Sequence, residues 1–534
     1  MTTSADRDRP SASVPVPADP AGIAERAVTG SRPAEVVETH TSTCVFVGDG
    51  VYKVKKPLDL GFLDFRTVGA RERACADEVA LNRRLAPDVY LRVAHLHDVP
   101  DGEDGTPPEP MVVMRRMPAE CRLSTLISAG VDVTDELRRI AEVLVAFHRR
   151  CATGPAVDAA ATARALQGLW DVTLEQLAPF AGRLLDEAAL REVADAASRY
   201  LTGRSELFGQ RIRQGWIRDG HGDLLADDIF CLDDGPRILD CLEFDVRLRV
   251  GDVLADVGFL AMDLERLGRP DLARVLLDAY ARGSEERHPA SLEHLYVAYR
   301  ALVRCKVACL RADQADGTAA ADASRTARGL LELSRAHLRA GRVRLLLVGG
   351  LPGSGKSTLA AGLAVADPAW TVLRSDVLRR ELDPATRPAA VGHGPYSPER
   401  RASVYTALLA RAGELLRLGG NVVLDASWSD QSSREAAAAL ADETGAELTA
   451  VWCTVDDDVA ERRLAARTGD VSDADAGVRR ALRAAAPPWP DAITLDTDRP
   501  APDVLRAALI ALEDLRRPTT TPGGTSCASS TSST

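Results

Sequence analysis

The segment that most restricts what this chain can fold into runs from Val343 to Ala360. An apolar run, Val-Arg-Leu-Leu-Leu-Val, breaks into Gly-Gly-Leu-Pro-Gly-Ser-Gly-Lys-Ser-Thr and then into an alanine- and leucine-rich stretch. Gly350, Gly355, Lys356 and Ser357 satisfy the spacing G-x-x-x-x-G-K-[ST], with Leu351, Pro352, Gly353 and Ser354 between them and Thr358 behind. That order reads as buried strand, glycine-rich loop and helix. Glycines let consecutive backbone N–H groups wrap a phosphate chain, and a helix N-terminus behind them adds positive potential. Lys356 is placed to reach the β- and γ-phosphates, and Ser357 to offer its hydroxyl to Mg²⁺. The segment predicts a nucleoside triphosphate site.

At 534 residues the chain exceeds one ordinary core, so two or three domains are expected. Residues 1–20 and 517–534, rich in Ser, Pro, Thr and Gly, read as disordered tails. Between them the texture changes near Gly341. The expected division is a first domain over 21–335 and a second over 342–516.

In the first domain, Thr43–Val47 and Gly50–Val54 flank Gly48-Asp49 as a hairpin. Helical periodicity follows at Gly69–Leu85, Thr134–Arg150, Thr173–Leu201 and Leu292–Ala312, and Met111–Met117 reads as a short strand. In the second domain, strand candidates Arg344–Val348, Trp370–Leu373, Asn421–Leu424, Glu447–Cys453 and Ile493–Asp496 alternate with helices. Alternation of this kind signals a doubly wound parallel sheet.

A formal net charge of −12 and the lack of an aromatic-interleaved basic stretch argue against a nucleic-acid or anionic-membrane partner. The ten cysteines form no C-x-x-C pair, so neither zinc nor a disulfide framework is indicated. The first twenty residues lack the apolar core of a signal peptide, and no apolar run approaches a bilayer span. A soluble, cytoplasmic protein is expected; oligomeric state is left open.

Two further constellations carry chemistry. His221-Gly222-Asp223-Leu224-Leu225-Ala226-Asp227-Asp228 is followed by an apolar stretch ending in Asp240. Phosphoryl transfer needs a carboxylate beside the attacking hydroxyl and oxygen ligands for Mg²⁺ on the phosphates, and this spacing supplies both. In the second half, Asp376 and Arg379 lie three apart at a strand-to-helix junction and can share a cleft, as carboxylate and cation at an acceptor; helix capping is the other use of Asp376. Val422–Asp425 is a strand ending in an aspartate suited to Mg²⁺. Arg463 and Arg467, four apart, suit a lid closing on phosphates, or a solvated basic face equally well.

The first half resembles the aminoglycoside-phosphotransferase-like kinases, whose loop runs H-G-D-x-x-x-x-N. The resemblance implies a protein-kinase-like fold, with Asp223 as catalytic base, His221 as the structural histidine and Asp240 as the metal-binding aspartate. It also implies Lys53 on a strand for the α/β-phosphates and Glu78 on the next helix as its partner, with Lys55 as the alternative lysine. Gly251–Asp256 resembles the segment that braces the catalytic loop in that family. Two departures stand out: Asp228 occupies the usual asparagine position, and Leu225 a position where histidine is common. No glycine-rich loop precedes Lys53; Thr39-His40-Thr41-Ser42 is there instead.

The second half, over about 342–512, resembles AAA_33 or zeta-toxin-like P-loop kinases through Gly350–Thr358, Ser375–Arg379 and Val422–Trp428. Together, with Lys53–Pro57, Gly61–Phe65, Leu81–Pro87 and Phe259–Glu265, the halves resemble a bacterial fusion of these two kinase types. The resemblance implies ATP and Mg²⁺ as cofactors, with Asp228, Asp240, Ser357 and Asp425 as metal ligands, and small-molecule hydroxyl acceptors as substrates. A bifunctional phosphotransferase is therefore expected. The alternative is one P-loop kinase or ATPase governed by a degenerate kinase-like sensor.

Overall fold

The computed structural model describes residues 35–39, 41–59, 64–96, 108–382, 398–466, 476–485 and 487–514. Both tails, His40, Gly61–Leu63, Arg467 and Ser472–Ala474 lie outside the described residues. The chain divides into two compact units. One comprises Met1–Cys151, Asp219–Val250 and Asp263–Ser284, the other Ala152–Arg218, Gly251–Met262 and Glu285–Thr534.

The first unit is built on a five-stranded antiparallel sheet of β1 (Glu35–Glu38), β2 (Ser42–Val47), β3 (Gly50–Lys55), β4 (Tyr90–Leu96) and β5 (Glu109–Arg115), ordered β1-β2-β3-β5-β4. The expected hairpin is present: Val47 pairs with Gly50 across a turn in which Gly48 takes φ +56°. Strand alternation sends Tyr52 and Val54 to one face, where they pack with Met111 and Val113. Lys53 and Lys55 are sent to the other face, toward the helix Val68–Asn82. That helix starts at Thr67, whose hydroxyl accepts from the Ala70 N–H at 3.2 Å. The helix Thr134–Arg150 buries Leu137, Ile140, Ala141, Leu144 and Val145 at helical spacing.

The second unit holds helices and a second sheet. The sequence reading of one helix over Thr173–Leu201 is corrected: two helices, Ala163–Leu177 and Glu187–Gly203, replace it. Pro179 and Gly182 (φ +72°) break the run, and Asp186 starts the next helix by accepting from Ala189 N–H at 2.7 Å. The long helix Ala290–Gln314 ends where expected, before Gly317–Ala340. Short strands β6 (Ile217–Asp219), β7 (Ile229–Leu232), β8 (Gly235–Ile238) and β9 (Val250–Asp252) precede the main sheet in sequence. That sheet contains β10 (Arg344–Gly350), β11 (Trp370–Arg374), β12 (Asn421–Asp425), β13 (Glu447–Thr454) and β14 (Ile493–Asp496). All are parallel, in the order β11-β12-β10-β13-β14. Leu346, Val348, Val423, Val451 and Leu495 meet Leu359 and Leu363 of the helix Lys356–Ala366 in its core. The fold class is thus mixed α/β, with a five-stranded antiparallel sheet in the first half and a doubly wound parallel sheet in the second. No helix of the described residues is long and apolar enough to cross a membrane.

A buried ionic cluster ties helical segments of the second unit together. Arg211 meets Asp252 through two hydrogen bonds of 2.6 and 2.7 Å and also pairs with Glu286. His288 lies between Glu286 (3.1 Å) and Glu293 (2.7 Å). Burial alone would push the imidazole pKa down, but hydrogen bonds to the two carboxylates outweigh it and raise it to about 9. A histidine raised from 6.5 stabilises fully below pH 6.5 and loses that contribution as pH rises through about 9. The thermal midpoint is therefore expected to fall between pH 6.5 and 9, a loss of about 2–3 kcal/mol. His288→Gln should flatten that slope, measured by calorimetry at matched ionic strength.

Candidate functional site

Two groups of functional side chains form, one in each unit. In the first, Glu78 projects from the helix Val68–Asn82 onto the lysine face of β3, and its side chain is fully buried. Lys53 Nζ lies 2.8 Å from Glu78 Oε1, and Lys55 Nζ lies 2.6 Å from Glu78 Oε2. Burial alone would push the Glu78 carboxyl up; the two lysines overcome this and hold it below the usual range. Lys53 also reaches Asp240 Oδ1 at 2.8 Å, whereas Lys55 turns to Glu243. Lys53, the lysine expected from the resemblance, and Lys55, its alternative, therefore differ: Lys53 faces Asp240, and Lys55 is the buried counterion. Glu243 was missed by the sequence reading, though it lies three residues past Asp240.

The Asp240 side chain is about half exposed and its backbone takes φ +63°, a left-handed conformation that costs energy for a residue with a Cβ. Its N–H donates to the Tyr90 hydroxyl at 3.2 Å, holding this turn. His221 is fully buried. Its Nε2 donates to Leu239 O at 3.0 Å, while Nδ1 faces the Asp223 N–H at 3.4 Å, which sets the tautomer with the proton on Nε2. Gly222 has φ +88°, and a Cβ there would stand 3.0 Å from the Arg249 backbone, so the H-G-D turn needs glycine.

Asp240, Asp223 and Asp227 lie near enough to Asp228 for their charges to act on it. Burial first, then the carboxylates of Asp240, Asp223 and Asp227, push the Asp228 pKa well up. The loop is braced by Asp263, a fully buried residue that accepts from the Ala226 N–H at 3.0 Å. Within the segment Gly251–Asp256, Asp252 is engaged with Arg211.

In the second unit, β10 ends at Gly350, and Gly355 (φ +80°) precedes the helix Lys356–Ala366. Gly350 takes φ +148°, and a Cβ there would meet Ser354 Oγ at 2.3 Å and Cys453 O at 2.8 Å. Gly353, at φ +81°, would strike Ala460 O at 2.9 Å. Only glycine fits either position. The loop is fastened from outside by residues the sequence reading missed. Arg479 is buried and donates to Pro352 O at 2.8 Å, while Thr497 Oγ1 lies 2.8 Å from Ser354 O. Arg463 donates to Thr497 O at 2.8 Å and so lies against the loop. Lys356 and Ser357 occupy the first turn of the helix, and Thr358 is exposed. Leu351 and Pro352 begin the loop.

Asp425, at the carboxyl end of β12, is buried and hydrogen-bonded to Ser357. Burial pushes its pKa up despite the nearby Lys356 and the Arg374 guanidinium at 3.2 Å. Its Oδ1 is buried without a hydrogen-bond partner among the described residues. Asp376 and Arg379 pair with each other on the helix Ser375–Leu382, and the Asp376 charge acts on Asp425. Trp428, fully buried at φ +48°, fixes the chain after β12: its N–H donates to Tyr405 Oη at 2.9 Å, and its carbonyl accepts from Arg434 at 2.7 Å. Loop, lysine, serine and β12 aspartate thus converge, with Asp376 and Arg379 beside them; this arrangement binds a nucleotide.

The AAA_33 family, an AAA domain, matches residues 345–488. The uncharacterized protein Rv2004c of Mycobacterium tuberculosis is 42% identical over 476 residues, covering 89% of this chain and 94% of that protein. Among solved structures, a choline/ethanolamine kinase family protein from Mesorhizobium loti covers 59% of this chain and 95% of its own, at 17% identity and a TM-score of 0.38. A sugar kinase from Janibacter sp. covers 32% and 95%, at 22% identity and a TM-score of 0.26. The chain belongs to the family of the mycobacterial protein Rv2004c, and its residues 345–488 match the AAA_33 domain.

Proposed function

We propose that the protein is an ATP-dependent phosphotransferase with two sites, each moving the γ-phosphoryl group to a hydroxyl of a small molecule. The observation that carries the reading is the Lys53 ammonium held at 2.8 Å by both Glu78 and Asp240, in the unit that also contains Asp223. A lysine fixed this way is a positioned cation for phosphate oxygens, and Asp223 supplies a carboxylate whose charge acts on the neighbouring Asp228.

In the first site, Asp223 accepts the proton of the acceptor hydroxyl as its oxygen bonds to the γ-phosphorus. The bond from that phosphorus to the β,γ-bridging oxygen breaks, and ADP leaves with the electron pair. In the second site, the loop N–H groups and Lys356 hold the phosphates, Asp376 takes the acceptor proton, and Arg379 offsets charge on the transferred group. Mg²⁺, when bound, neutralises phosphate charge in both places. Asp228 and Asp240 would hold it in the first, Ser357 and Asp425 in the second. The buried, unpartnered Oδ1 of Asp425 suits such a cation.

The second reading, a sensor in the first unit controlling one P-loop kinase, is favoured by one observation: Asp228 adds a carboxylate among Asp223, Asp227 and Asp240. Labelled ATP incubated with a metabolite extract separates the readings. Asp223→Ala should remove one labelled product and Lys356→Ala another, each by at least about 100-fold. Products that all survive Asp223→Ala would favour the sensor. Separately, Asp228→Asn spares the metal-free protein the cost of protonating a carboxyl that burial and the neighbouring carboxylates keep from ionising, so it should gain about 1 kcal/mol, roughly 2–4 °C in its thermal midpoint. Saturation with Mg²⁺ and a non-hydrolysable ATP analogue should narrow or reverse that gain, because the variant loses a charged ligand.

A further inference from the structure

Five arginines among the described residues are buried: Arg71, Arg204, Arg211, Arg300 and Arg479. Four face a carboxylate: Arg71 meets Glu109, Arg211 meets Asp252 and Glu286, Arg479 meets Asp457, and Arg300 stands 3.9 Å from Asp256. Arg204 is the exception. It is 1% exposed, stacks on the Tyr200 ring at 5.0 Å and donates to Thr444 O, while its Nε has no partner. No carboxylate pairs with it among the described residues, and burial pushes its pKa down to about 10. A buried cation without an anion carries a desolvation cost that neutral partners do not offset.

Arg204 cannot readily swing out to water. A Cβ on the preceding Gly203 would stand 2.0 Å from Thr444 O, and one on Gly445 would stand 2.8 Å from Arg199 O. These contacts press the end of the helix Glu187–Gly203 against the end of the helix Gln431–Thr444. Beside this contact lies a cavity of about 410 Å³ whose lining includes Arg199, Tyr200, Arg204, Ser291, His337 and Arg342. Gly341, Val343 and Glu447 also line it, at the amino ends of β10 and β13, whereas the glycine-rich loop follows the carboxyl end of β10. It is therefore separate from the site assigned above.

The acids on its wall are mostly committed. Glu192 is held by Arg335 (2.8 Å) and Arg339, and Glu447 by Arg342 at 3.0 Å. Arg191 is paired with Glu187 at 2.8 Å. Asp195 also lines the cavity and sets a limit on how much negative charge it can accept. Arg199, exposed on the rim, has no ion pair among the described residues. We propose that this cavity is a binding site for a small metabolite bearing a single phosphate or carboxylate group, seated between Arg204 and Arg199. Its volume lies within the range of small-molecule pockets, and its few uncommitted cations suit one oxyanion rather than a polyphosphate chain.

The full-length protein is first saturated with Mg²⁺ and a non-hydrolysable ATP analogue, so that both phosphate sites are filled. Inorganic phosphate, glycerol phosphate and a hydroxycarboxylate such as lactate are then titrated by equilibrium dialysis, with the thermal midpoint read in parallel. At least one should saturate with Kd below ~1 mM and raise the midpoint; the phosphate and carboxylate arms tell which group is taken. Arg204→Met should weaken binding at least 10-fold while leaving the ligand-free midpoint unchanged or higher, because it removes an unpaired buried charge. Ala196→Trp, which keeps Arg204 but fills the cavity from its wall, should abolish binding too, and it decides the matter if Arg204→Met does not fold. No saturation by any of the three, or binding that survives Ala196→Trp, overturns the proposal.

Discussion

The first unit depends on one buried carboxylate. Glu78 is shielded from water on all sides, and a charge in that position persists only if it is neutralised nearby. Two lysines do so from one strand face, two residues apart, which strand geometry makes possible. Each lysine then carries a second carboxylate, Asp240 or Glu243, from the segment after β8. The sheet, the helix and the acidic segment are thereby tied through four ion pairs among five charged side chains. Breaking a buried pair by removing one partner typically costs about 3–5 kcal/mol, because the other charge is stranded. That asymmetry, more than any net gain from the pairs, fixes the position of Lys53.

The second unit solves the same problem with the opposite means. Its phosphate cradle is mainly backbone, so what matters is the shape of the loop and what keeps that shape. Gly350 and Gly353 permit the path, while Arg479 and Thr497 clamp the carbonyls of Pro352 and Ser354 from distant parts of the chain. Those carbonyls must be satisfied elsewhere if the loop's N–H groups are to remain turned toward a ligand. Preorganisation of this kind costs nothing at the moment of binding, which is why the loop's external fastening matters as much as its sequence.

What the sequence made legible follows from locality. The glycine-rich loop, the β2–β3 hairpin and the five parallel strands depend on neighbours within a few residues, and they stand where periodicity and turn chemistry place them. The sequence reading also singled out Lys53, Glu78, Asp223 and Asp240 by order along the chain. It did not find Glu243, Arg374, Arg479 or Thr497, whose partners are 51 to 188 residues away. Nothing local distinguishes those residues from ordinary surface charge. Arg374 had one available signal, its place at the end of a strand next to Ser375 and Asp376. The false single helix over Thr173–Leu201 has a different cause: apolar spacing continued across Pro179 and Gly182, and periodicity was given more weight than the breakers.

Asp228 brings these themes together. An amide there would supply an oxygen ligand with no charge, whereas a carboxylate supplies a stronger ligand and raises the repulsion among Asp223, Asp227 and Asp240. In the absence of a cation, burial favours the neutral acid, which presents the same shape as an amide. With a divalent cation and a polyphosphate in place, the balance moves toward the ionised form, since the cation's charge dominates its surroundings. The substitution therefore couples metal binding to proton release more strongly than asparagine would. The pKa of Asp425 is likewise raised by burial, although Lys356 and Arg374 offset part of that effect. On the two-site reading proposed above, the first site takes up its cation by giving up a proton, whereas in the second Lys356 and Arg374 already offset part of the charge on Asp425.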